Sequence, residues 1–177
     1  APHANASQVS AAPLIAVLAT SPETARIAKR TGADLIYVPA FNYQRGGAEV
    51  AGCAREEVDQ AGYPKGCIIV MPSIDRDGCG ASAEALRGLD AWKNIAAGSE
   101  VMVESLGGMH RAQGLGCIID VGAKMPLMNP SALAVAEAFG ARRAWLSPEL
   151  NAAQLRSMAK AAPMEVGVKV YGAQELM

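Results

Sequence analysis

Two periodicities take turns along this chain. The run Leu14-Ile15-Ala16-Val17-Leu18-Ala19 is apolar on both faces, and Thr20-Ser21-Pro22-Glu23 follows it. Thr20 or Ser21 can cap a helix there, and Pro22 suits its first turn. The helix is predicted to run to Arg30 and to stop at Thr31-Gly32, where glycine can take the left-handed conformation that closes a helix. Residues 33–38 then read as the next strand. The same grammar returns downstream. It predicts a strand at 67–71, a helix at about 82–97 closed by Gly98, a strand at 100–104, a short helix near 108–113 and a strand at 117–121. Asn129-Pro130-Ser131 caps a further helix ending at Gly140, and Ala144-Trp145-Leu146 is a strand. Ser147-Pro148-Glu149-Leu150-Asn151 leads into a helix at 152–161, and 164–171 is the last strand. Residues 1–12 are small and polar without periodicity and read as a flexible linker, which leaves 13–177 as the folded domain.

Strands that are apolar on both faces and alternate with helices indicate a parallel sheet covered by helices rather than a meander. About seven strands and five or six helices are expected. An eight-stranded β/α barrel left incomplete fits this count, and so does an open parallel sheet with helices on both faces. No GxGxxG or P-loop follows any strand, so the nucleotide-binding form of the open sheet has no support and the incomplete barrel is favoured. Function in a barrel sits at the strand C-termini, here 39–45, 72–77, 104–105, 120–129 and 147–149.

Composition narrows the classes. With 51% hydrophobic and 19% charged residues the chain can bury a sizeable core. Its 16 basic and 17 acidic residues are interspersed, so no basic footprint marks nucleic acid as the partner. The apolar runs are too short to span a bilayer, and the expected compartment is the cytoplasm. Cys53, Cys67, Cys79 and Cys117 form no CxxC, and Cys67 and Cys117 each open an apolar run, as buried reduced thiols do. Only His3 and His110 are present, too few for the usual metal constellations or a Ser/His/Asp triad.

The last third carries a resemblance. Asn129-Pro130-Ser131, then Phe139-Gly140-Ala141-Arg142-Arg143-Ala144-Trp145-Leu146-Ser147-Pro148-Glu149-Leu150, and finally Val168-Lys169-Val170-Tyr171-Gly172-Ala173-Gln174-Glu175-Leu176-Met177 follow one another as in the collagenase-like peptidase family, number thirty-two among the peptidases of unassigned mechanism. The resemblance implies a barrel and a peptidase activity. Other proteins similar to that family hydroxylate RNA bases or quinone precursors with a cysteine-held iron–sulfur cluster. Its ligands are expected mostly beyond the strand end that Tyr171-Gly172 matches, outside this chain, so none of the four cysteines matches them. A non-catalytic accessory barrel is the third alternative.

Three carboxylates are the catalytic candidates. Glu149 follows a strand, and Pro148 stiffens the exit that aims it at the barrel mouth; Asp120 interrupts an apolar strand and Glu104 ends another. Two carboxylates at one mouth push each other's pKa apart, as acid–base or metal-assisted hydrolysis requires. Lys124, Arg142 or Arg143 could instead pair with them, and Glu149 could serve the following helix dipole. Asn129, Ser147, Arg45 and Tyr171 are the substrate-contact candidates, for a peptide or small molecule, although Asn129 and Ser147 also suit cap and turn roles. Loops at Tyr43, Arg45, Gly46 and Gly47 and at Asp75, Arg76 and Asp77 could clamp an anionic group. A barrel lacking a strand has two unpaired edges, so self-association through the sheet edges is expected, with 164–177 near the contact.

Overall fold

The computed structural model describes residues 12–45, 53–57, 62–73, 92 and 95–172. The first strand, β1 (Ala16–Leu18), leads into α1 (Pro22–Arg30). Ser21 is the cap: its side chain accepts from the Thr24 backbone N–H, Pro22 occupies the first turn, and Gly32 beyond the end has φ +94°. Next come β2 (Leu35–Pro39), an antiparallel hairpin of β3 (Phe41–Arg45) and β4 (Cys53–Glu57), β5 (Ile68–Val70) and β6 (Glu100–Val103). Helix α2 (Leu106–Gly114), β7 (Ile118–Val121), α3 (Pro130–Ala138), β8 (Ala141–Trp145), α4 (Ala152–Ala161) and β9 (Glu165–Gly167) complete the order.

Seven strands form one all-parallel sheet in the order β1-β2-β5-β6-β7-β8-β9. The sheet curls. Tyr37 on β2 and Trp145 on β8 are four strands apart, about 19 Å in a flat sheet. Yet the Trp145 indole N–H donates to the Tyr37 hydroxyl at 3.1 Å, and the rings meet edge to face at 5.6 Å. The result is a curled half-barrel with helices between its strands, the incomplete parallel β/α barrel read from the sequence. β1 and β9 stand at opposite ends of the strand order and do not pair with each other.

Alternate residues of each strand face the helices. Ile36 and Val38 pack with Ala25 and Ala28 of α1, while Val101, Val103, Ile119, Val121, Ala144 and Leu146 join Met109, Ala112, Leu133, Ala136 and Met158 from the later helices. Small alanines let each helix lie close to the sheet, and the intervening strand positions face the concave side.

Two expectations change. Tyr43 and Arg45, assigned to a loop, lie in β3, opposite Arg55 and Cys53 of β4. Their segment pairs antiparallel with β4 in a two-stranded sheet separate from the main one. Among the described residues the last strand spans Glu165–Gly167, shorter than the 164–171 expected, and pairs there with β8, which ends at Trp145. Helix 82–97 falls largely, and the Asp75, Arg76 and Asp77 loop wholly, outside the described residues, as do His3 and Cys79. No helix among the described residues is long and apolar enough to cross a membrane.

Candidate active site

The concave face holds a buried polar cluster centred on Asp120. This carboxylate is 0% exposed, on the strand position that pairs with Met102 of β6 and Arg143 of β8. The Tyr37 hydroxyl donates to Oδ2 at 2.6 Å and Arg143 Nη1 to the same oxygen at 2.8 Å; Arg142 Nε donates to Oδ1 at 2.9 Å. Consecutive strand residues ordinarily face opposite ways, so one carboxylate should not meet both arginines. A bulge resolves this. Ile119 pairs with Ala141 but Asp120 pairs with Arg143, which leaves Arg142 as the extra residue on β8 and turns both guanidiniums toward Asp120.

Further carboxylates complete the cluster. Arg143 Nε and Nη2 both donate to Glu165 Oε2, at 2.9 and 2.6 Å, and Arg142 Nη2 donates to Glu100. Burial penalises charge on Arg143, but the Asp120 charge and the bonds to Tyr37 and Glu165 more than offset it, so its pKa stands above the ordinary arginine value. Arg142 is raised likewise: burial opposes, and bonds to Glu100 and Asp120 prevail. Tyr37 is pushed well above its ordinary 10.0, first by burial, then by the hydrogen bond to Asp120 and its charge, with the bonds from Trp145 and Arg143 pulling back. Its phenol is therefore a fixed donor at neutral pH.

Glu104 sits one residue past the end of β6, two beyond Met102 and so on the same concave face. Its side chain lies across Gly122, where an added Cβ would come within 2.5 Å of the Glu104 Cγ, so only glycine leaves room. The carboxylate is 11% exposed and lies 3.7 Å from Lys124 Nζ. Glu149 is exposed in the turn after β8, and its backbone N–H donates to the buried Ser147 Oγ at 3.3 Å. Because every strand of the sheet is parallel, Glu104, Glu149 and Ser147 all lie beyond strand C-termini, at one end of the sheet, and Asp120 lies one residue inside it.

The other candidates scatter. Asn129 caps α3, its Oδ1 accepting from Ala132 N–H at 2.9 Å. Tyr171 is 94% exposed beyond β9, and Arg45 ends β3 opposite Cys53. Cys67 and Cys117 are free, partly buried thiols immediately before β5 and β7, at the end of the sheet opposite Glu104. Burial raises both thiol pKa values, with Lys29 pulling Cys67 partly back. Among the described residues no three His, Cys, Asp or Glu side chains are grouped to hold a metal ion.

Tyr37, Trp145, Glu100 and Glu165 were missed from the sequence. A signal existed: each occupies the parity of its strand that faces away from the helices, and a carboxylate or arginine at such a position needs a partner across the concave side. The fold and cluster thus define a parallel β/α half-barrel with a charge-paired interior and carboxylates at its strand C-terminal end. No family model matches the chain, and no curated protein or solved structure is significantly similar to it.

Proposed function

We propose that this domain acts on a peptide or small molecule at the C-terminal end of its strands, as a hydrolase of the collagenase-like peptidase kind, with Glu104 as the acid–base carboxylate. The observation that carries this reading is the setting of Glu104. It is a nearly buried carboxylate on the concave face, held over Gly122 and beside the Lys124 ammonium. A carboxylate so placed can take a proton from an attacking water, and a neighbouring ammonium can stabilise the oxyanion that forms at the substrate carbonyl. Glu149, exposed at the same end, meets the substrate or its leaving group. Asp120 has another task in this reading. Its oxygens are occupied by Tyr37, Arg142 and Arg143, so it holds the half-barrel together and leaves proton transfer to Glu104.

An accessory, non-catalytic barrel is the second reading, favoured by the same saturation of the interior carboxylate. Hydrolysis of quenched fluorescent gelatin peptides separates the two. Glu104→Gln is expected to lower kcat/KM by about 100-fold or more with an unchanged melting temperature. Wild-type protein that cleaves none of the peptides, or a Glu104→Gln variant of full activity, overturns the hydrolase reading.

A further inference from the structure

A cleft separates α1 from the segment 62–66 that leads into β5. Its volume is about 330 Å³, and it is walled by Glu23, Arg26, Lys29 and Arg30 of α1 and by Pro64. These side chains carry a net charge of +2, three cations against one carboxylate, in a chain whose formal net charge is -1. Arg26, Lys29 and Arg30 follow one another at helical spacings of three and four residues. They therefore share one face of α1, beside the face that buries Ala25 and Ala28.

Both walls are fixed. Tyr63 is 8% exposed and joins Ala25 and Ala28 in one core cluster, and Gly62 lies so close to Pro22 that an added Cβ would stand 3.4 Å from its Cγ. Across the gap Arg26 Nη1 donates to the Gly62 carbonyl and Lys29 Nζ to the Lys65 carbonyl, each at 3.0 Å. Basic residues late in a helix ordinarily answer the dipole of their own helix. Here Arg26 and Lys29 reach instead to a separate segment, which holds their charged ends over the cleft. Each uses one donor on that carbonyl, so the guanidinium keeps four N–H groups and the ammonium two. The cleft lies far from Glu104: α1 runs back against the parallel strands β1 and β2, so its last turn stands at their N-terminal ends, as does the Gly66 turn before β5.

We infer that this cleft binds a compact phosphorylated small molecule, whose phosphoryl oxygens accept hydrogen bonds from Arg26, Lys29 and Arg30. A guanidinium fork matches two phosphoryl oxygens at once, and donors already held in place lose little freedom on binding. The volume stands at the small end of ligand sites, which suits a diphosphate-sized group. A nucleic-acid backbone would need a longer basic track. The inference is independent of the hydrolase reading.

Isothermal titration calorimetry of the full chain with inorganic pyrophosphate tests it, with amide chemical shifts followed in parallel. Binding should saturate with a Kd below about 1 mM. The Gly62 and Gly66 amides should shift, and the Trp145 indole on the concave face should not. Arg30→Gln, at an exposed position, and Arg26→Gln should each weaken binding by about fivefold or more with unchanged circular dichroism. Glu23→Gln should strengthen it, since a like charge leaves the wall, and Lys160→Gln on α4 should have no effect. Titration without saturation, an Arg30→Gln variant of full affinity, or an equal loss in Lys160→Gln overturns the inference. Citrate binding more tightly than pyrophosphate would make the cleft a polycarboxylate site and overturn the phosphoryl assignment.

Discussion

Replacing Asp120 by Asn tests whether the concave cluster is a sealed structural element. The carboxylate is 0% exposed and accepts from Tyr37, Arg142 and Arg143. Asparagine keeps one acceptor oxygen but turns an NH2 toward a guanidinium, so a donor meets a donor and the positive charges lose their shared counterion. Removing one partner of a buried ion pair costs about 3–5 kcal/mol. Here the lower end applies, because Arg143 keeps its two bonds to Glu165 and Arg142 keeps Glu100. We expect a loss of about 3 kcal/mol in urea unfolding, and a melting temperature lower by about 6–12 °C for a chain of this size. Glu165→Gln, at the solvent-exposed end of the same network, should cost under about 1 kcal/mol. A double-mutant cycle of Asp120→Asn with Tyr37→Phe should show coupling between the two sites, since they share a buried 2.6 Å hydrogen bond. A loss below about 1 kcal/mol for Asp120→Asn would mean that water already solvates the carboxylate, and would return Asp120 to the list of groups free to act on a substrate.

Gly167→Ala should destabilise by about 1–3 kcal/mol and shift the tryptophan emission, because the new methyl would stand 2.8 Å from the Trp145 ring and displace its bond to Tyr37. Stability should fall in alkali. The Tyr37 pKa is raised in the folded state, so its contribution is complete below 10.0, the unfolded value, and is lost as pH rises from there toward the higher folded value. Chemical denaturation between pH 8 and pH 11 should show this decline, and Tyr37→Phe should flatten it. Glu149→Gln should leave the unfolding free energy within about 0.5 kcal/mol of wild type, as expected of an exposed turn carboxylate; a collapse on heating would make the residue structural. Asn151→Ala removes a capping box in which Asn151 and Gln154 satisfy each other's backbone N–H, and should cost about 1 kcal/mol by the same unfolding assay.

Local chemistry was enough for three of the helix starts and for the sheet type. Ser21, Asn129 and Asn151 cap the helices where a short polar side chain precedes an apolar run, and strands apolar on both faces required helices over a parallel sheet. The same local rules singled out Glu104, Asp120 and Glu149, since a carboxylate within or just after an apolar strand is an anomaly in a single sequence, and they named Lys124, Arg142 and Arg143 as possible partners. Which carboxylate took which partner depended on three-dimensional facts. A one-residue bulge on β8 brings two adjacent arginines to Asp120, and the curl of the sheet brings Tyr37 and Trp145 from strands four apart into contact. Neither has a signature in the spacing of residues, because strand register and sheet curvature are set by the packing of the whole layer. The β3–β4 pairing has the same origin. Propensity marks a segment as able to extend, and only a neighbouring strand decides whether it does.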